Sequence, residues 1–178
     1  MTTTPTTDLA YPIGKFQRPT ALTTEDRTTA IAHFAALPAE VRGAVHGLSE
    51  AQLDAPYRPG GWSVRQVVHH LADSHVNALL RVKLALTEEN PVIKPYDEKR
   101  WAELGDNALP PAPSIAILEG THARLVALLS AMTPAEFSRP LTHPVNGALT
   151  IDTLVALYSW HGRHHVAQIT GLRQREGW

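Results

Sequence analysis

The sequence predicts an all-α fold, most simply a four-helix bundle with irregular loops and short extra helices. Apolar residues recur at helical spacing in four segments, and a residue able to cap a helix precedes most of them. No convincing segment shows the period-two alternation of a half-buried strand. Helices that each bury one apolar stripe pack into a bundle, so one all-α domain is expected.

The N-terminal residues 1–10 are predicted to form a disordered tail, followed by a single domain over residues 11–178. The Thr-rich start has neither a basic segment nor an apolar run, so we do not expect a secretory signal. The chain is expected to stay irregular to about Thr23, because three prolines fall in this part.

The first long helix is predicted from apolar residues at helical spacing between Ile31 and Leu48. Pro38 interrupts this stripe. A proline inside a helix removes a backbone hydrogen bond, so we expect a kink or two shorter helices. A capping box at Ser49 and Gln52 predicts one more helical turn.

The second long helix follows a loop rich in glycine and proline. Ser63 and Gln66 form a capping box, and the apolar stripe behind them continues to about Leu86. The stretch from Asn90 to Pro113 contains five prolines and is predicted to be mostly loop. Within it, residues 97–104 could make a short helix.

The last two long helices also have predicted caps. Ser114 is expected to cap the third, and Thr150 the fourth, which runs to about Arg173. Between them, Thr133 precedes a proline at the first position of a short helical piece. Asn146-Gly147 is predicted to form a turn.

Composition excludes several classes of protein. The formal net charge of −1 gives no overall attraction to nucleic acid or to an anionic membrane surface. No segment approaches the roughly 18 consecutive apolar residues that span a bilayer. The chain has no cysteine, so any metal must be bound by His, Asp or Glu, and a cytoplasmic location is expected.

Histidine spacing indicates a metal site. His161 and His165 are four residues apart on the last predicted helix, so both imidazoles leave the same, otherwise apolar, face. Buried imidazoles need partners, and a metal ion suits both. The second helix offers His69, His70 and His75 as a third ligand, and we prefer His70 because it faces partly inward. Three protein ligands would leave a coordination position open, as a catalytic site requires.

A polar stripe extends from His70 along the second helix through Ser74, Asn77 and Arg81. This stripe could line a substrate cavity, in which Arg81 would pair with an anionic group. The alternative interpretation is a solvated helix face.

The remaining histidines, Gln168 and two tryptophans are not expected to bind the metal directly. His164 is expected to support the metal ligands indirectly or to be exposed, and Gln168, close to one turn beyond His165, is a candidate hydrogen-bond partner of a ligand. Trp62 and Trp160 are interpreted as core anchors. The remaining histidines are interpreted as surface or incidental residues: His33, His46, His122 and His143.

The sequence resembles a known family, the DinB-like metalloenzyme superfamily, and within it the YfiT group. The resemblance covers nearly the whole chain, from about Tyr11 to Leu172. It is carried by five phrases in order: Tyr11-Pro-Ile-Gly-Lys-Phe16, Tyr57-Arg-Pro-Gly-Gly-Trp62, Val67-Val-His-His-Leu-Ala-Asp-Ser-His75, Ile93-Lys-Pro-Tyr-Asp-Glu98 and Trp160-His-Gly-Arg-His-His165.

The resemblance implies a four-helix bundle, a homodimer and one divalent metal ion, zinc or nickel, in each subunit. By position, the family's His triad corresponds to His70, His161 and His165. Proteins of this group have been labelled metal-dependent hydrolases, and related members resemble transferases that join bacillithiol to electrophiles.

Our leading hypothesis is therefore a metal-dependent transferase that joins a low-molecular-weight thiol, held by the metal as a thiolate, to an electrophilic substrate. Thiols of the bacillithiol type carry carboxylates, which Arg81 or Arg163 could bind.

Two alternatives stay open. In a metal-dependent hydrolase of small amides or esters, the metal would activate water, and Asp97, Glu98 or His164 could act as the base. Tyr96 is a possible proton or hydrogen-bond donor on a loop that could cover the site. In a non-catalytic metal-binding stress protein, the histidines would be purely structural.

Overall fold

Four long helices form the bundle that the sequence predicts. The computed structural model describes residues 8–178. The long helices are α1 (Thr24–Val45), α3 (Val64–Thr87), α5 (Ala112–Ser130) and α7 (Ile151–Glu176). Each of them packs against two neighbours, in the cyclic order α1, α7, α3, α5. The short helices are α2 (Glu50–Leu53), α4 (Glu98–Trp101), a 3₁₀ turn (Gly105–Ala108) and α6 (Pro134–Phe137).

Helix starts agree with the predicted caps at four positions. Capping boxes are present at Ser49, Ser63 and Thr133, and the Thr150 side chain accepts a hydrogen bond from the backbone of Thr153. These side chains satisfy backbone N–H groups that have no partner within the helix. The positions at which α3 and α7 begin are therefore encoded locally, and both helices contain residues of the predicted metal site.

The predicted cap of the third long helix was wrong. Helix α5 begins at Ala112, two residues before Ser114, and Pro111 and Pro113 flank its first residue. Proline is tolerated in a first turn because the N–H that it lacks would have no helical partner there. The Ser114 hydroxyl instead lies 2.7 Å from Nδ1 of His69 on α3.

Helix α1 continues through Pro38, where two shorter helices were one expectation. The missing N–H of Pro38 leaves the carbonyl of Phe34, four residues earlier, without its helical donor. Nδ1 of His122 on α5 lies 2.6 Å from this oxygen and takes the place of the missing donor. The long helix is therefore completed by a side chain from another helix.

A short hairpin was missed by the sequence analysis. Strand β1 (Pro140–His143) pairs antiparallel with β2 (Gly147–Thr150), and the predicted Asn146-Gly147 turn ends where β2 begins. Gly147 has φ of 73°, which favours glycine. Strands of four residues are too short to show a reliable alternation. The loop after α3 joins the hairpin, because Ile93 N donates to Thr142 O at 3.0 Å.

The apolar core consists of two clusters along the bundle. One contains Phe34, Leu125 and Leu154, and the other contains Leu71 and Ile169. Along α3, α5 and α7, the residues between the two clusters include five histidines that are buried or partly buried: His75, His122, His161, His164 and His165. A layer of imidazoles therefore interrupts the hydrophobic core.

The N-terminal segment packs on the bundle where the structure describes it. Residues 1–7 of the predicted tail lie outside the described residues. The tail prediction also included residues 8–10, but these form a turn in which Tyr11 N donates to Asp8 O at 2.9 Å. Within residues 8–178, no helix combines the length and the apolar character needed to cross a membrane.

We expect Gly162→Ala to destabilise the fold. A Cβ at Gly162 would lie 2.6 Å from Cδ2 of the buried Leu37 on α1, so helix or side chain must shift. Overpacking of this kind lowers the free energy of unfolding by about 1–3 kcal/mol. Urea unfolding followed by circular dichroism measures this quantity.

Gly171→Ala is the matched control on the same helix. A Cβ there would lie 3.6 Å from Arg175 Nη1, an ordinary contact with a flexible side chain. Because alanine is the better helix former, this change should be neutral or stabilise by up to about 1 kcal/mol. Equal effects of the two substitutions would contradict a tight contact at Gly162.

Candidate metal centre

Three histidine side chains from two helices converge, two of them from the imidazole layer and the third, His70, from α3 beside it. One ring nitrogen each of His70, His161 and His165 lies within 4.8 Å of the other two. The closest pair is His70 Nε2 and His161 Nε2, which are 3.1 Å apart. His161 and His165 are one turn apart on α7, and His70 faces them from α3. The three residues that the sequence selected therefore lie together.

All three imidazoles are kept neutral by their surroundings. Burial lowers the pKa of His70 to about 4. Burial, reinforced by neighbouring histidines, also holds the pKa values of His161 and His165 well below the ordinary value. A neutral imidazole has one nitrogen with a free electron pair, which is the form that binds a metal ion.

A glutamine fixes the orientation of His165. The Gln168 amide nitrogen donates to Ala10 O at 3.2 Å and lies 3.0 Å from His164 Nε2. The amide oxygen of Gln168 therefore faces His165. That oxygen lies 2.8 Å from Nδ1 of His165. Nδ1 therefore carries the proton, and Nε2 is left with the electron pair. This is the contact pattern expected for a residue that orients a metal ligand.

A cavity of about 580 Å³ opens onto the three histidines. Trp62 forms part of its wall, with ring centroids 4.7 Å from His70 and 6.4 Å from His165. The prediction of Trp62 as a core anchor was therefore incomplete, because its ring also borders the site. The hairpin contributes His143 and Asn146 to the opposite wall.

The polar stripe of α3 reaches the same cavity in part. Ser74 and Arg81 line it, and Arg81 Nη1 donates to the Tyr158 hydroxyl at 2.6 Å. Tyr96 also lines the cavity, and burial raises its pKa to about 12, so its hydroxyl keeps its proton. Glu98 is the one carboxylate among the described residues of the cavity wall.

Three predicted residues lie away from the triad cavity, whereas His164 lines it and contacts Gln168, the partner of His165. Asn77 donates to the Asp73 carbonyl and is not among the cavity residues. Arg163 is exposed, donates to the Ser159 carbonyl and borders a separate surface depression, because its position on α7 points away from the triad. Asp97 caps α4. His164 is buried, and its ring stacks on Trp160 at 4.5 Å.

Sequence analysis also missed a second cavity and a buried histidine. The second cavity, of about 570 Å³, shares Trp62, His164 and His165 with the first and has Arg58 on its far wall. His122, interpreted from the sequence as incidental, is almost completely buried on α5. Its position, four residues after Leu118 and three before Leu125 in the apolar stripe, was the signal that could have identified it.

We expect the metal-free protein to lose stability as the pH falls below about 6.5. The unfolded chain binds protons near the ordinary pKa of 6.5, whereas folded His70 binds its proton only near 4. Between these values the unfolded state holds more protons, so the free energy of unfolding falls with decreasing pH. Urea unfolding in EDTA at pH 7 and pH 5 should show a loss of about 1–3 kcal/mol.

Two variants control this measurement. His70→Gln should make the loss of stability smaller by the contribution of His70, since the other buried histidines keep theirs, whereas replacing the exposed His46 by Gln should leave the loss unchanged. A free energy of unfolding that stays constant or rises towards pH 5 would contradict burial of neutral imidazoles.

Comparisons with known proteins agree with this architecture. Residues 33–169 match the family model of the DinB superfamily. Proteins from Bacillus mycoides (strain KBAB4) and Bacillus cereus (strain 03BB102), each named "Putative metal-dependent hydrolase", are 48% identical over 171 residues, which cover 96% of this chain and 99% of each relative.

Two solved structures share the fold. YfiT from Bacillus subtilis, described as a probable metal-dependent hydrolase with an unusual four-helix bundle topology, has a TM-score of 0.93 at 46% identity. The match covers 96% of this chain and 98% of YfiT. The four-helix bundle protein TT2238 has a TM-score of 0.54 at 21% identity, over 82% of this chain and 98% of TT2238. The chain therefore belongs to the DinB superfamily.

Proposed function

We propose that His70, His161 and His165 bind one divalent metal ion, zinc or nickel, and that the protein is a metal-dependent enzyme. The observation that carries this proposal is the convergence of three neutral imidazole nitrogens within 4.8 Å at the wall of a cavity. The names of the Bacillus relatives support metal dependence.

The donor set fits such an ion. Zinc and nickel are both bound well by imidazole nitrogen, and three protein ligands leave room for a substrate atom. When bound, the ion would supply a positive charge that stabilises a thiolate or activates water. Because all three protein ligands are neutral, the ligands themselves would cancel none of that charge.

We propose transfer of a low-molecular-weight thiol of the bacillithiol type to an electrophile as the reaction. The sulfur attacks the electrophilic carbon, a carbon–sulfur bond forms as the bond to the leaving group breaks, and the thiol proton passes to solvent. No carboxylate base is required for this step, since thiols ionise near neutral pH when a positive charge is close. The lack of cysteine in the chain is compatible with it, since the substrate supplies the sulfur.

Arg81 is the residue that we assign to substrate binding. It lines the triad cavity, and within residues 8–178 it has no carboxylate within ion-pair distance. The Tyr158 hydroxyl supports one of its nitrogens, which leaves other N–H groups of the guanidinium for a ligand. A carboxylate on the thiol suits this fork of donors, because the two groups can form paired hydrogen bonds.

Hydrolysis of a small amide or ester is the second candidate. Glu98 lines the cavity and could accept a proton from water, and Tyr96 retains the proton that a leaving group needs. The names of the relatives favour this reaction. Asp97 and Arg163 take no part in either proposal, because neither lines the cavity.

Metal content tests the ligand assignment. Mass spectrometry of untagged protein should find about one zinc or nickel ion per chain, and His70→Ala, His161→Ala and His165→Ala should each lose it, since two nitrogens make a weak site. His46→Ala removes an exposed histidine and should retain the metal. Unchanged metal in the three triad variants would refute the assignment. The expected homodimer is checked on the same samples by light scattering.

Turnover assays distinguish the two reactions. With monochlorobimane as electrophile, conjugation to a carboxylate-bearing thiol should depend on metal and stop after chelation. An ester and amide panel without thiol should then show no turnover. The opposite pattern would replace transfer by hydrolysis, and no turnover in either assay, with metal bound, would favour a non-catalytic metal protein.

Arg81→Met extends the same assay. Loss of a charge-assisted pair should raise the KM for a carboxylate-bearing thiol by roughly 10-fold or more. The KM for cysteamine, which has no carboxylate, should change little. An equal rise for both thiols would show that Arg81 supports the fold of the cavity and does not bind the carboxylate.

A further inference from the structure

A chain of hydrogen bonds crosses all four long helices and ends at the candidate metal site. Nδ1 of His161 on α7 lies 3.4 Å from Nε2 of His75 on α3, the longest link. His75 Nδ1 lies 3.0 Å from His122 Nε2 on α5. His122 Nδ1 reaches Phe34 O on α1 at 2.6 Å. His75 and His122 are 0% and 1% exposed, and the proposed reactions use neither.

The far end of this chain exists because of Pro38. In a regular helix the Phe34 carbonyl would accept from the backbone N–H of residue 38, which proline lacks. A buried carbonyl without a partner is costly, so a donor is required at this position. The proline thereby creates a fixed acceptor in the middle of α1, pointing at α5.

The acceptor determines where every proton in the chain lies. A carbonyl can only accept, so His122 Nδ1 carries a proton. His75 and His122 are buried and have no carboxylate among their described contacts, so each ring is neutral and has one proton only. His122 Nε2 must then accept from His75 Nδ1, and His75 Nε2 must accept from His161 Nδ1. The order leaves the electron pair of His161 on Nε2, the atom that faces His70.

We propose that His75 and His122 are positioning residues that hold His161 in its metal-binding tautomer. The fixed acceptor at the end of the chain is the Phe34 carbonyl, which Pro38 leaves without a helical donor. The inference rests on the proposed function in that His161 is taken as a metal ligand. The physical basis is that a hydrogen bond to the second ring nitrogen fixes both the tautomer and the orientation of a ligating imidazole. Gln168 does the same for His165 through a separate contact.

The packing neighbours of His75 and His122 do not offer these two rings a competing proton order. Tyr158 packs edge-on to His75 with ring centroids 5.4 Å apart, but its hydroxyl is engaged by Arg81. Phe34 packs against both His75 and His122 and has no polar side-chain atom. The described contacts of the two rings therefore leave only the chain through Phe34 O.

Zinc affinity of the variants tests the proposal. Competition titration with a chromogenic chelator should show roughly 10- to 100-fold weaker zinc binding for His75→Phe and His122→Phe. Within residues 8–178, no hydrogen bond or ring contact joins His122 to a triad residue, so its effect must pass through His75. His75→Gln and His122→Gln keep one acceptor and one donor and should recover most of the affinity. His69→Phe is the control, since His69 is buried and hydrogen-bonded at both nitrogens outside the chain.

Nitrogen NMR of isotope-labelled, metal-free wild-type protein gives a second, independent measurement. We expect His161, His75 and His122 each to be protonated at Nδ1, and His75→Phe to produce a mixture of tautomers at His161. A wild-type His161 protonated at Nε2 would overturn the proposal. So would zinc affinities of both Phe variants equal to that of His69→Phe.

The two measurements test the chain of hydrogen bonds separately from the proposed function. If wild-type protein binds no zinc, the metal assignment fails, and the NMR spectrum still decides whether the proton order exists. If wild-type protein binds zinc but the tautomers differ from those expected, the metal assignment stands and the positioning role of His75 and His122 is wrong. If a Phe variant does not fold, the Gln variants and the wild-type spectrum retain the test.

Discussion

Buried imidazole nitrogens need partners, and this requirement organises the centre of the bundle, where His164 Nδ1 is the exception among the described histidines. The two apolar clusters pack by ordinary hydrophobic burial, but the layer between them contains five histidines. Each nitrogen in this layer that finds an acceptor or donor fixes a tautomer, and each tautomer constrains the next ring. The site is thus specified by hydrogen-bond order as much as by helix packing.

Much of the fold could be predicted because its signals are local. The caps at Ser63 and Thr150 predicted where α3 and α7 begin, and the stripe of α3 predicted its end to within one residue, whereas α7 continues three residues beyond the predicted end at Arg173. The triad followed from spacing on these two helices, since an i, i+4 pair needs only one further ligand. The structure brings His70 to that pair with a nitrogen–nitrogen distance of 3.1 Å.

The parts that failed depend on contacts between distant segments. Pro38 suggests a break when only α1 is considered, because the donor that completes the helix is His122, 84 positions further along the chain. Ser114 looks like a cap, but its hydroxyl faces His69. Arg81 and Arg163 were both candidates from the sequence to bind a carboxylate of the substrate, but only Arg81 lines the cavity. The group that replaces the N–H of Pro38 and the partner of Ser114 lie on other helices, so no local pattern predicts them, whereas the stripe from His70 does indicate Arg81.

Gly162 lies between His161 and His165 on α7, where the helix contacts Leu37 of α1. With no side chain in between, the separation of the two helices there is set by stiff backbone against a buried leucine. The histidine pair therefore sits on a stretch of α7 that has little room to move towards α1. Other residues of the cavity wall come from outside the long helices, since Tyr96 lies on a loop and Asn146 at a hairpin turn. The cavity is therefore built from a close helix contact on one part of its wall and from connecting segments on another.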